Sequence, residues 1–329
     1  MAGQKGNAPL RTLPGIGVGH ASDFRGLTGC TVILCEGGGV CGVDIRGSAA
    51  GTRDLTPCLP GHLVERVHAL FLTGGSAFGL DAAGGVMQFL ESRGVGFAAG
   101  RVRVPIVPAA VIFDLNLGSS KARPDPAIAR RACRSARQHV AEGSVGVGTG
   151  ATVGKLLGVD HATKGGVGFA SLTLSGGVLV QALAVVNAFG DVVEPWTGKV
   201  IAGARPAQNS SQFVDTAERM FKGDVRRVFG ATNTTVVAVM TNAVLDKLQA
   251  TKVAQMAQDG LARAIRPVHT QFDGDLVFAL SVGHKRADLN ALGTAAAEVT
   301  ARAIVRGVLT ARGLGGVPAC RELGGLSRK

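Results

Sequence analysis

Residues 234–240 read TTVVAVM, a run of β-branched and apolar side chains that marks a buried strand. The chain around it is built mostly from Gly, Ala and Val, with 49 glycines, 4 % aromatic residues, no tyrosine and a single Trp196. Small residues that pack closely between frequent turns suit a layered α/β enzyme. At 329 residues there is length for one large domain or two small ones. What does not suit a core strand is its start: Gly-Ala-Thr-Asn at 230–233, then two adjacent threonines, Thr234 and Thr235.

The remaining segments alternate strand and helix patterns. GCTVILC (29–35) and GVCGVDIRG (39–47) read as a hairpin joined through glycines. VHALFLTGG (67–75) is a strand leading into a helix over 76–94, with Phe78, Ala82, Val86, Phe89 and Leu90 at helical spacing, Ser76 as N-cap and Gly94 as stop. A second helix is expected over 122–143, opened by Pro126 and closed by Gly143. KGGVGFASLTL and GVLVQALAVVNAFGDVVEP follow as consecutive strands. Residues 196–213 lose periodicity and gain Ser, Gln, Asn and Pro, predicting a linker and a polar, mobile segment to about residue 228. Beyond TTVVAVM, 245–267 is an amphipathic helix stopped at Pro267, 269–283 a strand with an acidic start, and 286–309 a closing helix.

Several function classes are disfavoured. The net charge is +12, but the basic residues are scattered as singles and pairs (Arg130-Arg131, Lys285-Arg286) without interleaved aromatics, so a solvated basic surface is expected and no nucleic-acid partner. Cys30, Cys35, Cys41, Cys58, Cys133 and Cys320 form no C-x-x-C pair. With no secretory signature in MAGQKGNAPL they read as reduced packing residues of a cytoplasmic protein. No apolar run approaches the roughly 18 residues that cross a bilayer. The histidines lie on separate elements without H-x-H or H-x-x-x-H spacing, so surface or capping roles are expected, and no metal. GVGTGATVGK (146–155) looks like a phosphate loop, but Thr149 and Leu156 stand where a Walker motif needs Gly and Ser/Thr, and no nucleotide or other cofactor is expected. A G-x-S-x-G elbow is missing too, which argues against a Ser-His-Asp hydrolase.

Three polar residues interrupt apolar strands. Asp273 and Asp275 in FDGDLVF are two apart, so their side chains leave a strand on the same face. Such a pair either holds a cation or a proton, or marks a solvent-exposed strand entrance. Asn187 in VQALAVVNAFG is either a structural hydrogen-bond bracket or a donor aimed into a site.

PGIGVGHASD, GCTVIL, VDIRG, AAGTRDL, LTGGSAFGLDAAGGV, VPIVPAAVIFDL, GVGTGATVGK, VNAFGDVVEPWTGKVIAGA, NTTVVAV and ARAIRPVHTQFDGD together resemble one family, from about residue 11 to 310. It is that of the self-processing L-aminopeptidase/D-esterases, whose members include β-peptidyl aminopeptidases, a pantetheine hydrolase and nylon-oligomer hydrolases. The resemblance implies a four-layer αββα sandwich like that of N-terminal-nucleophile hydrolases. It also implies a single catalytic domain over 1–329, cut between Asn233 and Thr234 into chains 1–233 and 234–329.

By the same resemblance the freed Thr234 is the nucleophile. The physical logic is independent: a threonine hydroxyl needs an adjacent base, and cutting creates an α-amine with an ordinary pKa of about 7.7–8.0 on the same residue. Asn187 matches the family's oxyanion-stabilising Asn. Asp273 and Asp275 match paired positions that orient the Thr234 ammonium or bind a substrate amine. Lys155 matches a lysine of the nylon-oligomer hydrolases, and Lys164 is a second candidate. An active-site tyrosine used by some members has no counterpart in this chain. Short peptides or small amine-bearing amides and esters are the implied substrates, and a homo-oligomer, a tetramer of processed units, the implied assembly. The rival expectation is a non-processing binding protein of the same fold. Strand alternation puts Thr234 and Thr235 on opposite faces without saying which faces a site; the resemblance selects Thr234.

Overall fold

The computed structural model describes residues 10–224 and 233–323, so residues 225–232, which include most of the Gly-Ala-Thr-Asn lead-in, lie outside them. The principal strands are β1 (Gly17–Asp23), β2 (Thr28–Ile45), β3 (Val67–Thr73), β4 (Ala109–Val111), β5 (Gly166–Leu174), β6 (Val178–Asn187), β7 (Thr234–Ala243) and β8 (Leu276–Lys285). The main helices are α1 (Ala83–Glu91), α2 (Pro126–Ser135), α3 (Lys247–Ala264) and α4 (Leu289–Leu309). Hydrogen bonds link the strands in the order β5-β6-β7-β8-β2-β3-β4, ending on a short strand Thr52–Arg53, with β1 also paired to β2. Only β7/β8 and β3/β4 are parallel, and each of those connections carries a helix, α3 and α1 respectively.

β2 organises the layers. The sequence predicts a hairpin here, but the 18 residues form one strand. Its first part, Cys30–Leu34, pairs with β3, and its second part, Val40–Ile45, pairs with β8. The register shifts between Leu34 and Gly39, where Gly38 takes a φ of 77°, so the glycines redirect the strand without ending it. The true hairpin is β1 with the start of β2.

Three apolar clusters show the resulting sandwich. Ala254 and Leu261 of α3 and Ala296 and Val299 of α4 pack on Ala184, Val237 and Ala279. Ile33, Leu70 and Leu72 meet Leu183, Val236 and Phe278 between the two halves of the ladder. Val86 and Leu90 of α1 and Ala129 of α2 cover Val32 and Phe71. The order is helices, sheet, sheet, helices, the αββα class. Glycine permits a close contact between the helices: a Cβ on Gly260 would fall 2.3 Å from the Ala297 carbonyl oxygen, so α3 and α4 approach more closely than alanine permits there.

Two further expectations change. The second helix stops at Ser135, because Arg137 exchanges both backbone hydrogen bonds with Val18 and the β1 edge takes the chain. The proposed linker is packed: Val200–Ala202 pairs with Asp191–Val193, and Thr216–Phe221 is a short helix. The buried Asp191 carboxylate accepts from Ala204 N, Thr216 N and Thr216 Oγ1, tying this segment to the body. All six cysteines are buried and free. Among the described residues, no helix is long and apolar enough to cross a membrane.

Candidate active site

The end of β6 and the start of β7 place two of the expected residues face to face. In the antiparallel register Asn187 is the partner of Thr234. Along β7, Val236, Ala238 and Met240 belong to the layer between the sheets, while Val237 and Val239 face the helices. Alternation therefore sends Thr234 between the sheets and Thr235 toward the helices. On β6, Leu183 and Val185 put Asn187 on the same side as Thr234. The hydroxyl of Thr235 is buried and finds no hydrogen-bond partner among the described residues.

Asn233 and Thr234 are both buried. Thr234 Oγ1 donates to the Asn233 carbonyl oxygen at 2.5 Å, so the hydroxyl lies against the peptide bond that precedes it. That carbonyl also accepts from Gly274 N at 2.7 Å, and Asn233 N donates to Phe272 O at 2.8 Å. Two donors on one carbonyl oxygen draw electron density from its carbon.

Asn187 is clamped by its acceptor end. Its Oδ1 accepts from Lys155 Nζ at 2.8 Å and Thr152 N at 3.1 Å, and its Nδ2 donates to Phe113 O at 3.2 Å. Lys155 Nζ also donates to the Asn187 backbone oxygen at 3.0 Å. Two donors on Oδ1 fix which end of the amide is which, and one Phe113 contact uses one of its two N–H groups.

The two aspartates are buried, so the reading as a solvent-exposed strand entrance does not hold. Asp273 accepts from Phe189 N at 3.0 Å and Thr270 Oγ1 at 2.6 Å. Asp275 accepts from Thr235 N at 2.7 Å through Oδ1, and through Oδ2 from His269 N at 3.1 Å and Nδ1 at 3.0 Å. Burial, with the neighbouring Asp275 charge, holds the Asp273 carboxyl above its ordinary range. Burial also pulls the Lys155 ammonium down to about 7, against the attraction of Asp273. Lys164 is brought to the same site. Its Nζ donates to Thr149 O at 2.9 Å and Ala151 O at 2.5 Å, and burial lowers it to about 7 as well.

All the expected side chains thus converge, and others join them. Asp114, buried and raised by that burial, accepts from Thr28 Oγ1 at 2.6 Å and Gly75 N at 2.7 Å. Its signal in the sequence is an acid closing the apolar run VIFD. The turn after β2 carries the backbone of the aspartates, with Gly47 N donating to Asp275 O at 3.1 Å and Ala49 N to Asp273 O at 2.9 Å. His269, assigned an ordinary role by its spacing, reaches Asp275. A small cleft of about 50 Å³ is lined by Phe113, Asp114, Asn116, Thr152, Lys155 and Asn233 among others.

Residues 10–320 match a family model described as peptidase family S58. Over 319 residues the chain is 41% identical to an uncharacterized aminopeptidase of Mycobacterium tuberculosis, covering 90% of this chain and 89% of that protein. It is 33% identical over 271 residues to a 6-aminohexanoate-oligomer endohydrolase of Paenarthrobacter ureafaciens, covering 82% of this chain and 73% of that one. Among solved structures, an L-aminopeptidase D-Ala-esterase/amidase of Ochrobactrum anthropi, a variant of the Ntn-hydrolase fold, is similar with a TM-score of 0.71 at 17% identity, covering 94% of this chain and 88% of that one. A β-aminopeptidase of Burkholderia sp. gives a TM-score of 0.67 at 23% identity, covering 97% and 96%. These structural likenesses establish an Ntn-hydrolase-type fold, and the sequence matches establish the family: the chain belongs to peptidase family S58.

Proposed function

We propose that the chain is a self-cleaving amide hydrolase in which Thr234 is first the agent of its own release and then the catalytic nucleophile. The observation that carries this reading is the Thr234 hydroxyl lying against the Asn233 carbonyl, opposite Asn187. In the first step Oγ1 attacks the Asn233 carbonyl carbon. The carbon–nitrogen bond breaks, the Thr234 nitrogen takes up a proton to become an amine, and Asn233 is left as an ester on Oγ1. Water hydrolyses that ester, giving the Asn233 carboxylate and restoring the hydroxyl.

In turnover the new α-amine accepts the Oγ1 proton as Oγ1 attacks a substrate amide, and the proton passes to the leaving amine. Asn187 Nδ2 donates to the oxyanion of each tetrahedral intermediate. Lys155 holds Asn187 by its oxygen, which leaves the nitrogen end as the donor. Asp273 and Asp275 hold the strand start and offer negative charge to an ammonium nearby. The relatives named as an aminopeptidase and as a 6-aminohexanoate-oligomer hydrolase support short, amine-bearing amides and esters as substrates.

Trapping the acyl enzyme tests the assignment. An activated ester of an amine-bearing acid should add its acyl mass to the 234–329 fragment, on Thr234. An adduct carried by residues 1–233 would place the nucleophile elsewhere.

A further inference from the structure

His269 is the residue that the sequence undervalued most. It sits at a φ of 56°, in the left-handed region where, glycine apart, Asn, Asp and His are the residues most often found. In that conformation both its backbone N–H and its ring Nδ1 reach the same oxygen of Asp275, at 3.1 Å and 3.0 Å. Asp275 Oδ2 accepts both of these bonds, while Oδ1 takes the Thr235 N–H at 2.7 Å. Asp275 is therefore gripped on one side by His269 and on the other by the peptide group directly after Thr234.

This grip gains importance when the chain is cut. In the intact chain Thr234 is held from behind, because Asn233 bonds to Phe272 O and Gly274 N. Breaking the Asn233–Thr234 bond disconnects Thr234 from that bracket. The first peptide N–H of the new chain is then that of Thr235, and its partner is Asp275. Asp275 then holds the start of β7 from the side away from β6, adding to the ladder that sets Thr234 opposite Asn187.

We propose that His269 is a positioning residue for the processed enzyme: by fixing Asp275 it anchors the first peptide group behind Thr234 and keeps the nucleophile in register with Asn187. This rests on the reading of Thr234 as the N-terminal nucleophile. The imidazole bonds to Asp275 and acts through it. Because Asn233 still brackets Thr234 before the cut, His269 matters more to turnover than to self-cleavage.

The test uses the full-length protein and four forms: wild type, H269A, H269N and H269G. Cutting is followed by intact mass and turnover by release of p-nitroaniline from an aminoacyl anilide. H269A is expected to cut but to lose roughly 10-fold or more in kcat with KM changed less than about 3-fold, as small misplacements of reacting groups do. Asn tolerates the left-handed backbone and carries a donor near the place of Nδ1, so H269N should regain most of kcat. Glycine relieves the backbone but has no donor, so H269G should stay as slow as H269A. A kcat in H269A within about 2-fold of wild type overturns the proposal, as does full recovery in H269G, which would reduce His269 to a backbone role. If the wild type itself neither cuts nor turns over, the assignment of Thr234 fails instead, which is a separate result.

Discussion

Asn187 and Thr234 are cross-strand partners whose side chains enter the same layer between the two sheets. The pairing fixes the distance between an amide donor and a hydroxyl through the backbone ladder rather than through a loop. A site built on two core strands has little freedom to relax, which is what preorganised charge stabilisation requires. Asn187→Ala is therefore expected to lower kcat by about 10²–10³ and to slow self-cleavage, with a smaller effect on KM. Steady-state kinetics on an aminoacyl anilide check this, and a kcat within about 3-fold of wild type would remove Asn187 from the oxyanion site.

The two buried lysines make a prediction about stability. Lys164 has a folded pKa of about 7 against an ordinary value of 10.5, so between those values the unfolded chain binds a proton that the folded chain does not. Stability from this group therefore rises with pH from about 7 to about 10, by on the order of 1 kcal/mol per pH unit, and Lys155 acts in the same direction. Urea midpoints measured from pH 6.5 to 9 should increase, and the increase should shrink in Lys164→Met. An equal or steeper rise in that variant would contradict the assignment.

Gly47 supports the aspartates through its backbone N–H on Asp275 O. A Cβ there would fall 2.2 Å from Asp275 N and 2.4 Å from Asp273 O, both backbone atoms. Gly47→Ala must push the Asp273–Asp275 turn away from the start of β7. We expect a loss of about 1–3 kcal/mol in unfolding free energy together with slower cutting. Denaturant titration and a time course of fragment appearance measure the two, and a variant like wild type in both would show that the turn has room to spare.

Much of this site was legible in the sequence because it consists of exceptions. Asn187 is a polar residue in an apolar strand and Asp273 and Asp275 are acids just before one, outside the strand the sequence predicts for them, and the resemblance to a family named their partners. The choice between Thr234 and Thr235 was beyond alternation alone. It becomes readable only when Val236 and Val237 are assigned to different layers, which is a property of the tertiary fold. β2 misled for a related reason: glycines that signal a hairpin turn also let a strand bend and continue, and only its partners β3 and β8 decide between the two. The segment from 196 to 213 looked like a linker since its anchors are hidden: Asp191, which ties down Ala204 and Thr216, lies on another strand. His269 offered no pattern at all, because the role proposed for it depends on a backbone conformation and on an aspartate six residues away.

The proposed function begins with Thr234 freeing itself. Intact mass of the purified protein under denaturing conditions, for the wild type and for Thr234→Ala, tests it most directly. The wild type should resolve on incubation into two chains, residues 1–233 and 234–329, the smaller beginning Thr-Thr-Val-Val, while the variant stays whole. A wild type that persists as one 33.4 kDa chain, or a variant that still cuts at that bond, would contradict the account.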